Sequence, residues 1–246
     1  MPRLLVLNPN TSAGVSALLA THVRAACGDR AIAVDVVTAR LGAPYIACEA
    51  SYAVAGHAVL DAWASAVRPP ADPPGAVLLG CFGDPGLLAL RQCATVPVVG
   101  LAEAAFDEAA RHGRFAVVTG GAAWAPMLRR LAHALGHGET LAAIEIVAPT
   151  GAELAADPPM AARVLAQACA RAARAEGVRA VIVGGAGLAG MAARLQGAAP
   201  VPLIDSVAAG ARRTLALLEA APSRAVSRCA VPWTGVSAEL QDLGGA

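Results

Sequence analysis

Four short motifs, each directly after a hydrophobic run, contain the residues of this chain that could do chemistry. They are Asn8–Ser12, Cys81–Asp84, Thr119–Gly121 and Gly184–Gly187. A thiol beside a helix N-terminus can have its pKa lowered, and the thiolate can then abstract a proton or act as a nucleophile. Free cysteines are also commonly buried and inert. At this level Cys81 is therefore either a reactive or a structural thiol.

The motif Asn8–Ser12 is typical of a turn from a strand into a helix. Thr11 or Ser12 can cap that helix, and its free N–H groups and positive dipole end favour a carboxylate or another anion. Capping alone is the simpler interpretation of the same residues. In the third motif, Thr119 could donate a hydrogen bond where glycines let a ligand approach the backbone, although a plain turn is an equally good explanation.

Other parts of these motifs predict local structure. Asp84 followed by Pro85 is typical of a helix start, with Asp84 as the N-cap and Pro85 as the first helical residue. Asp205 is likewise expected to cap the last long helix. Gly184–Gly187 lacks both the glycine spacing and the later acidic residue of a dinucleotide site.

The composition excludes several kinds of chemistry. All 19 basic residues are arginine, so no lysine can form a Schiff base with pyridoxal phosphate or complete a Walker-type phosphate site. The six cysteines form no Cys-x-x-Cys pair, and no histidine has metal-ligand spacing. A net charge of +1 and 3% aromatic residues do not support nucleic-acid binding. We expect no cofactor, no metal and no nucleic-acid partner.

The overall balance predicts a compact protein away from membranes. Of 246 residues, 57% are hydrophobic and 15% charged, which is typical of a fold with a large core. No apolar run reaches the roughly 18 residues of a membrane-spanning helix, and Asn8 follows too soon for a signal peptide. We expect a soluble, cytoplasmic protein whose cysteines are mostly thiols.

Short β-branched runs alternate with longer alanine-rich amphipathic segments, which predicts mostly parallel sheets flanked by helices in an α/β fold. The predicted strands are Arg3–Leu7, Ile32–Val37, Ala76–Leu79, Val96–Val99, Phe115–Thr119, Ala143–Val147, Ala180–Val183 and Val201–Ile204. The predicted helices are Ser12–Cys27, Ser51–Val67, Pro85–Gln92, Glu103–Arg111, Trp124–Leu135, Met160–Glu176 and Val207–Leu218. The proline cluster at 69–74 is predicted to be a loop.

A weak internal repeat relates the two halves of the chain. The similar segments are Ala76–Gly86 with Ala180–Gly190, and Val96–Glu103 with Val201–Ala208. We predict two pseudo-symmetric α/β lobes at about 1–100 and 101–205, with 206–246 returning to the first lobe. Ligands of open α/β sheets bind outside the carboxyl ends of the strands. Two facing lobes would therefore bring all four motifs into one interlobe cleft.

Together these motifs resemble the aspartate/glutamate/hydantoin racemase superfamily, most closely its hydantoin and allantoin racemase branch. The resemblance is carried, in family order, by Leu5–Ser12, Gly80–Gly86, Pro97–Ala104, Phe115–Thr119 and Pro202–Ala208. It implies two α/β lobes, a cleft site without metal or coenzyme, and a homo-oligomer. It also implies two cysteines on opposite faces of the substrate's α-carbon, one removing and one returning the proton.

The chain departs from this pattern at the second cysteine. Cys81 matches the setting of the first family cysteine, whereas Gly185 occupies the position of the second and has no side chain to carry a proton. General acid–base catalysis contributes about 10²–10⁴-fold. Racemisation should therefore be crippled unless Cys48, Asp205 or a bound water substitutes. The other cysteines are predicted to be structural, namely Cys27, Cys93, Cys169 and Cys229.

Three functions remain open from the sequence. The first is a racemase or epimerase of a hydantoin, allantoin or amino acid with an unconventional second proton donor. The second is a one-sided enzyme similar to the arylmalonate decarboxylases of this superfamily, in which one cysteine reprotonates an enediolate held in an oxyanion pocket. The third is a non-catalytic binder of a small acid or cyclic ureide.

We predict a cofactor-independent isomerase acting on a small carboxylate or cyclic ureide, with Cys81 as the acid–base residue and Gly185 at the vacant face. The positions expected to bind substrate are Asn8, Asn10, Thr11, Phe82, Gly83, Thr119, Gly120 and Ala186. Among them, Asn10, Thr11 and Thr119 are expected to act as anion or oxyanion donors. Tyr45 and Phe82 are expected to shape substrate selection.

Overall fold

The computed structural model describes residues 1–68, 73–149, 151–220 and 231–244. Its strands are β1 Arg3–Asn8, β2 Ala33–Thr38, β3 Ala76–Leu79, β4 Val98–Gly100, β5 Arg114–Gly120, β6 Leu141–Val147, β7 Val178–Val183 and β8 Leu203–Asp205. All eight predicted strands are therefore confirmed, with ends that differ by one or two residues. Cys229 and part of the predicted proline loop, 69–72, lie outside the described residues.

The seven predicted helices are also present. The helices are α1 Ala13–Cys27, α2 Glu49–Val67, α3 Leu87–Cys93, α4 Leu101–Ala110, α5 Trp124–Ala134, α6 Gly151–Ala156, α7 Pro158–Ala172, α8 Met191–Arg194, α9 Ser206–Ala220 and α10 Ala238–Gly244. The short helices α6, α8 and α10 are additional to the prediction. In the described part of the chain, no helix is long and apolar enough to cross a membrane.

The strands form two separate four-stranded parallel sheets with the same connectivity. The first has the order β2-β1-β3-β4 and the second the order β6-β5-β7-β8, so each strand of the first half has a counterpart in the second. This confirms the predicted α/β fold with two pseudo-symmetric lobes. The lobe limits at 100 and 205 stay a prediction. Helix α9 packs against α1 and β3, and α10 against α2, so both C-terminal helices contact elements of the first half.

Helices cover both faces of each sheet, which explains the hydrophobic runs that predicted the strands. Leu4–Leu7, Ala76–Leu79 and Phe115–Val118 have no exposed surface. One hydrophobic cluster extends from the first sheet into the second, and Phe106 of α4 stacks on Phe115 of β5 with ring centroids 5.4 Å apart. The two lobes therefore pack directly against each other.

Parallel register places the predicted motifs at the same sheet edge. Leu7 pairs with Leu79, so the first two motifs leave neighbouring strands side by side. In the second sheet Val118 pairs with Val183, so the third and fourth motifs also emerge together. The edge formed by the carboxyl ends of the strands is where ligands bind in folds of this kind.

The predicted helix start at Asp84 is wrong. Helix α3 begins at Leu87, and Asp84 lies in the left-handed region with φ 51°. Its carboxylate instead caps α4, accepting hydrogen bonds from the N–H groups of Ala102 (2.9 Å) and Glu103 (2.8 Å). The cap therefore acts on a helix 18 residues away rather than on the next one.

The other predicted caps agree with the structure. Ser12, one of two candidates, caps α1 by accepting a hydrogen bond from the N–H group of Val15 at 3.3 Å. Asp205 caps α9, since its Oδ1 accepts from the N–H groups of Val207 (2.9 Å) and Ala208 (3.0 Å). Both act on the helix that follows them directly in sequence, which is the case that a local motif can predict.

Candidate active site

A cavity of about 480 Å³ lies between the lobes at the carboxyl ends of the strands. It is lined by Asn10, Ser12, Gly14, Val15, Leu18, Pro44, Tyr45, Ile46, Gly80, Cys81, Phe82, Thr119, Gly120, Trp124, Ala156 and Gly184–Leu188. All four sequence motifs contribute to this wall. Of the predicted site residues, the structure brings seven together there, while Asn8, Thr11 and Gly83 are not among the lining residues.

Asn8 is fully buried, and its side chain forms hydrogen bonds that hold the Asn8–Ser12 turn. Its Nδ2 donates to Oδ1 of Asn10 (3.1 Å), to the carbonyl of Ser12 (3.1 Å) and to Oγ of Ser16 (2.9 Å). Oδ1 of Asn10 also accepts from the N–H group of Ser12 at 2.9 Å. Within the described residues, no hydrogen bond uses Nδ2 of Asn10. The Asn10 amide is therefore held by its oxygen while its N–H groups remain available to a ligand.

Thr11, predicted to be an anion donor, does not line the cavity. Its backbone N–H group donates to the carbonyl of Ala43 at 3.1 Å and so joins this loop to the segment after β2. The residue on each side of it, Asn10 and Ser12, does line the cavity. The motif contributes through those neighbours rather than through Thr11 itself.

Cys81 reaches the cavity at the end of β3 and is 8% exposed. Gly80, immediately before it, lets the chain pass closely, since a Cβ there would lie 2.6 Å from Cδ1 of Leu19. Burial raises the pKa of the Cys81 thiol above its ordinary value, and the nearby Asp84 carboxylate raises it further. The helix N-terminus that could have lowered this pKa does not follow Cys81 directly, because α3 begins only at Leu87, and desolvation dominates.

Phe82 lies where the two lobes meet. Its ring contacts Phe106 edge-to-face at 6.0 Å and covers Gly184, where an added Cβ would lie 2.2 Å from the Phe82 ring. Gly83 points away from the cavity wall, and its carbonyl accepts a hydrogen bond from the hydroxyl of Tyr52 at 2.8 Å. Gly83 thus anchors the turn to α2 instead of meeting a ligand.

The third motif supplies a hydroxyl on the second lobe. Thr119 is 5% exposed and lines the cavity, and no hydrogen bond among the described residues engages its side chain. Tyr45 lies across from it, with its hydroxyl 3.4 Å from the carbonyl of Gly120. The segment after β2 thereby reaches from the first lobe to the second and covers part of the cavity.

Trp124 is a lining residue that the sequence reasoning did not identify. Its side chain is 6% exposed, meets Tyr52 edge-to-face at 6.4 Å and lies close to Gly83 and Gly121. Its position directly after the Thr119–Gly121 motif was an available signal. The apolar residues Val15, Leu18, Ile46 and Leu188 were also missed, because their approach depends on packing between elements that are distant in sequence.

Among the described residues, none with an acid–base side chain lines the cavity around Gly185. The residues that follow it in the wall are Ala186, Gly187 and Leu188. The Gly185 N–H group donates to Oγ of Ser206 at 3.2 Å, and a Cβ at Gly185 would lie 3.3 Å from Cγ of Leu188. The vacancy inferred from the sequence is therefore bordered by an apolar side chain.

The two residues proposed as substitutes for the second cysteine, Cys48 and Asp205, do not line the cavity. Cys48 is exposed, does not line the cavity and forms a capping box with Ser51 at the start of α2. The carboxylate of Asp205 accepts hydrogen bonds from the N–H groups of Gly190, Val207 and Ala208. Neither residue is among those that line the cavity, so neither reaches a ligand bound there.

The cavity wall is electrically neutral. Among the described residues that form it, none is Asp, Glu, His or Arg, and the polar side chains are Asn10, Ser12, Tyr45, Cys81 and Thr119. Elsewhere in the described part of the chain, no group of three His, Cys, Asp or Glu residues is arranged to hold a metal ion. The wall thus offers neutral hydrogen-bond donors and one thiol within a largely apolar surface.

Comparisons with known proteins agree with this architecture. The family model for Asp/Glu/Hydantoin racemase matches residues 4–214. A hydantoin racemase of Paenarthrobacter aurescens is 30% identical over 215 residues, which cover 85% of this chain and 88% of that protein. A solved allantoin racemase from Klebsiella pneumoniae is 28% identical, with a TM-score of 0.86 and 99% of each chain covered.

A solved arylmalonate decarboxylase shares the fold at greater distance. It is 18% identical, with a TM-score of 0.59, and the match covers 91% of this chain and 96% of that one. The family model spans most of the chain, and the match to the hydantoin racemase extends over most of both proteins. The resemblance inferred from the motifs is confirmed. The chain belongs to the Asp/Glu/hydantoin racemase family.

Proposed function

We propose that this protein is a cofactor-independent racemase or epimerase that exchanges the acidic proton of a small carbon acid, with Cys81 as the proton-transfer group. The family assignment supports an isomerase. The observation that carries the assignment to Cys81 is its presence in the same cavity wall as Asn10 and Thr119. A thiol and neutral oxyanion donors thus surround one space.

The neutral wall favours an uncharged cyclic ureide, such as a 5-substituted hydantoin or allantoin, over an amino acid. An amino acid zwitterion would have to leave water without a charged partner among the described lining residues, which is strongly unfavourable. The carbonyl and N–H groups of a ureide ring can instead pair with neutral donors and acceptors. The names of the hydantoin and allantoin racemases that this chain resembles point to the same substrate class.

Proton removal from the ring carbon places negative charge on an adjacent carbonyl oxygen. Nδ2 of Asn10 and the hydroxyl of Thr119 are available to stabilise that charge, and such donors typically contribute about 3 kcal/mol each. As the thiolate, Cys81 removes the proton from its own side of the ring, and a water molecule on the Gly185 side returns a proton to the opposite face. Because its pKa is raised, the thiol is protonated at neutral pH, and the thiolate that forms is a strong base.

A one-sided enzyme is the second candidate, and the surroundings of Gly185 favour it. Leu188 and glycine backbone face the cavity there, so a planar intermediate would be protonated from the Cys81 side alone. A protonated thiol is also the form required to deliver a proton to an enediolate. Release of a carboxyl group followed by one-sided protonation would then give a single enantiomer.

Deuterium exchange distinguishes these functions. Each enantiomer of a 5-substituted hydantoin is incubated with the protein in D2O and followed by chiral chromatography and mass spectrometry. A racemase interconverts both enantiomers with label uptake, whereas a one-sided enzyme labels one enantiomer and retains its configuration. A binder leaves both unlabelled yet gains thermal stability with the ligand, and that result would overturn the enzymatic proposal.

The role of Cys81 is tested with a matched pair of cysteine variants. Cys81→Ala should abolish exchange, while Cys48→Ala should keep it, because Cys48 is exposed and outside the cavity wall. Exchange that persists in the folded Cys81→Ala variant would remove this thiol from the mechanism.

A further inference from the structure

Asp84 is a buried carboxylate that the proposed proton transfer does not use. Its side chain belongs to a residue only 2% exposed, three positions after Cys81, and it does not line the 480 Å³ cavity. Ionisable groups of this kind are rarely fully buried without specific partners. The contacts of Asp84 therefore indicate what it does.

The Asp84 carboxylate lies at the N-terminus of α4, between two backbone N–H groups and the side-chain-free Cα of Gly100. Its two oxygens accept hydrogen bonds from Ala102 (2.9 Å) and Glu103 (2.8 Å), which satisfies two free N–H groups of that helix. Gly100 leaves room, since an added Cβ there would lie 2.1 Å from Oδ2 of Asp84. Any side chain at Gly100 would displace the carboxylate.

The same residue closes the turn that carries the thiol. The N–H group of Asp84 donates to the carbonyl of Cys81 at 3.1 Å, and its own carbonyl accepts from Leu87 at 3.1 Å. The chain from Cys81 to Asp84 is thus one tight turn, and Asp84 holds the left-handed conformation that closes it. A shift of the carboxylate on α4 would move Cys81 with it.

The second lobe has a corresponding contact between a loop and a helix, but its carboxylate comes from a different position. There Asp205, at the end of β8, caps α9 and also accepts a hydrogen bond from the N–H group of Gly190 at 2.7 Å. Both lobes therefore use a carboxylate to tie the loop after the third strand to the helix after the fourth. In the first lobe the carboxylate belongs to the loop itself, which brings its charge next to the thiol.

We propose that Asp84 is a positioning residue for Cys81, fixing the Cys81–Asp84 turn on the N-terminus of α4 and placing a buried negative charge beside the thiol. This inference rests on the proposed function only in that Cys81 does the chemistry. It adds that the location and the protonation of that thiol both depend on a group outside the cavity.

Several charged or titratable side chains face this carboxylate. They are Cys81, Tyr52 of α2, Arg91 of α3, Glu103 of α4 and Arg130 of α5. Arg91 is paired with Glu103, and Arg130 with Glu49, so neither arginine forms an ion pair with Asp84 in the described structure. Burial raises the pKa of Asp84 to about 7. Tyr52, whose pKa burial raises to about 12, stays neutral at pH 6–8.5.

Alkylation of Cys81 by two reagents of different charge tests whether Asp84 places a negative charge beside the thiol. The background is Cys48→Ala, and the extent of reaction is read from the mass of the Cys81 peptide after treatment with iodoacetate or iodoacetamide at pH 8.5. In Asp84→Asn, the ratio of the iodoacetate rate to the iodoacetamide rate should rise about fivefold, because the repelling charge is gone. A merely loosened structure would accelerate both reagents equally.

Asp205→Asn is the matched control, since it weakens the corresponding hydrogen bonds between loop and helix in the lobe that does not contain Cys81. Its reagent ratio should equal that of the parent protein. In the proposed reaction, Asp84→Asn should lower kcat by about tenfold or more through misplacement of the thiol. KM should change little, because Asp84 does not line the cavity.

Two further measurements keep the inference open to refutation if Asp84→Asn fails to fold. Gly100→Ala displaces the carboxylate without removing it and should also lower kcat. In the unaltered Asp84 protein, the reagent ratio should fall as the pH rises from 6 to 8.5, because Asp84 ionises near pH 7. A ratio independent of pH, or a folded Asp84→Asn variant with unchanged kcat and ratio, would overturn the proposal. The alkylation rates do not depend on turnover, so they test the role of Asp84 even if the protein does not catalyse the proposed reaction.

Discussion

Burial decides the state of the thiol in this site. Cys81 is surrounded by the first-lobe core and the neutral cavity wall, with the Asp84 carboxylate as its nearest ionic influence. Both effects disfavour the thiolate, whereas a helix N-terminus would favour it. The thiol of Cys81 is therefore protonated at neutral pH, and only a small fraction of it is thiolate.

The raised pKa of Cys81 predicts an unusual pH dependence for a racemase. If removal of the substrate proton limits the rate, kcat/KM should increase by about tenfold per pH unit between pH 7 and 9, because the thiolate fraction increases in proportion. Initial rates measured with an N3-methylated hydantoin, which does not titrate in this range, would check this. A plateau below pH 8 would contradict a raised thiol pKa.

At the scale of elements, the sequence was a good guide to the long segments and a poor one to contacts between them. The strands are recognisable because most are short, β-branched or apolar runs between alanine-rich helices, although β2 and β6 are only partly buried. The short helices α6, α8 and α10 were missed, since four to seven residues give little periodicity. Val15 and Ile46 were not predicted as cavity residues because tertiary packing, rather than their spacing in the sequence, brings them there.

Asp84 shows the limit of local patterns most clearly. An acidic residue before a proline is a sound signal for a cap, and Asp84 does cap a helix. The helix is α4, which meets Asp84 only because β3 and β4 are neighbours in the sheet. Sequence proximity predicts α3 as the helix that Asp84 caps, whereas the pairing of β3 with β4 brings Asp84 to α4.

The docking of α10 is a second feature of the element scale that can be tested. Asp61 of α2 is 1% exposed and accepts two hydrogen bonds from Arg40, at 2.7 and 2.9 Å. Arg40 also contacts Glu239 of α10 at 3.1 Å. The C-terminal helix is thereby linked through one guanidinium to a buried carboxylate.

Asp61→Asn should lower the free energy of unfolding by about 2 kcal/mol, because a half-exposed Arg40 then loses the buried one of its two charged partners. Glu239→Gln, the control at the less buried carboxylate of the pair, should have a smaller effect. Arg40 lowers the pKa of Asp61, so this stabilisation is present above the unfolded-state pKa and disappears as the pH falls through the lower folded-state value. Urea unfolding from pH 2 to 7 measures both effects; equal losses in the two variants would contradict the proposed order.

On the scale of the whole molecule, the two lobes pack so closely at Gly184 that an added methyl group there should disturb the contact between them. A Cβ at Gly184 would lie 2.2 Å from the Phe82 ring, which itself packs on Phe106. Gly184→Ala should therefore displace Phe82, destabilise the protein by about 2 kcal/mol and strongly reduce exchange activity.

Gly56→Ala in α2 is the matched control for this change, since its Cβ would meet the nearest atom, the backbone nitrogen of Gly86, at an ordinary 3.5 Å. It should be neutral or slightly stabilising, because alanine favours helix. Thermal melting and deuterium exchange measured on both variants provide the comparison. A Gly184→Ala protein that melts and turns over like Gly56→Ala would show that the contact between the lobes is not tight.

The identical strand order of the two sheets has a stereochemical consequence. A flat intermediate held between them meets a loop leaving the third strand of one sheet on one side and its counterpart from the other sheet on the opposite side, with glycine-rich backbone in both. In a one-sided reaction, the configuration of the product would depend on which of the two corresponding positions, 81 or 185, carries a thiol. In this protein position 81 carries the thiol and position 185 is glycine, so that proton would come from the side of the first sheet.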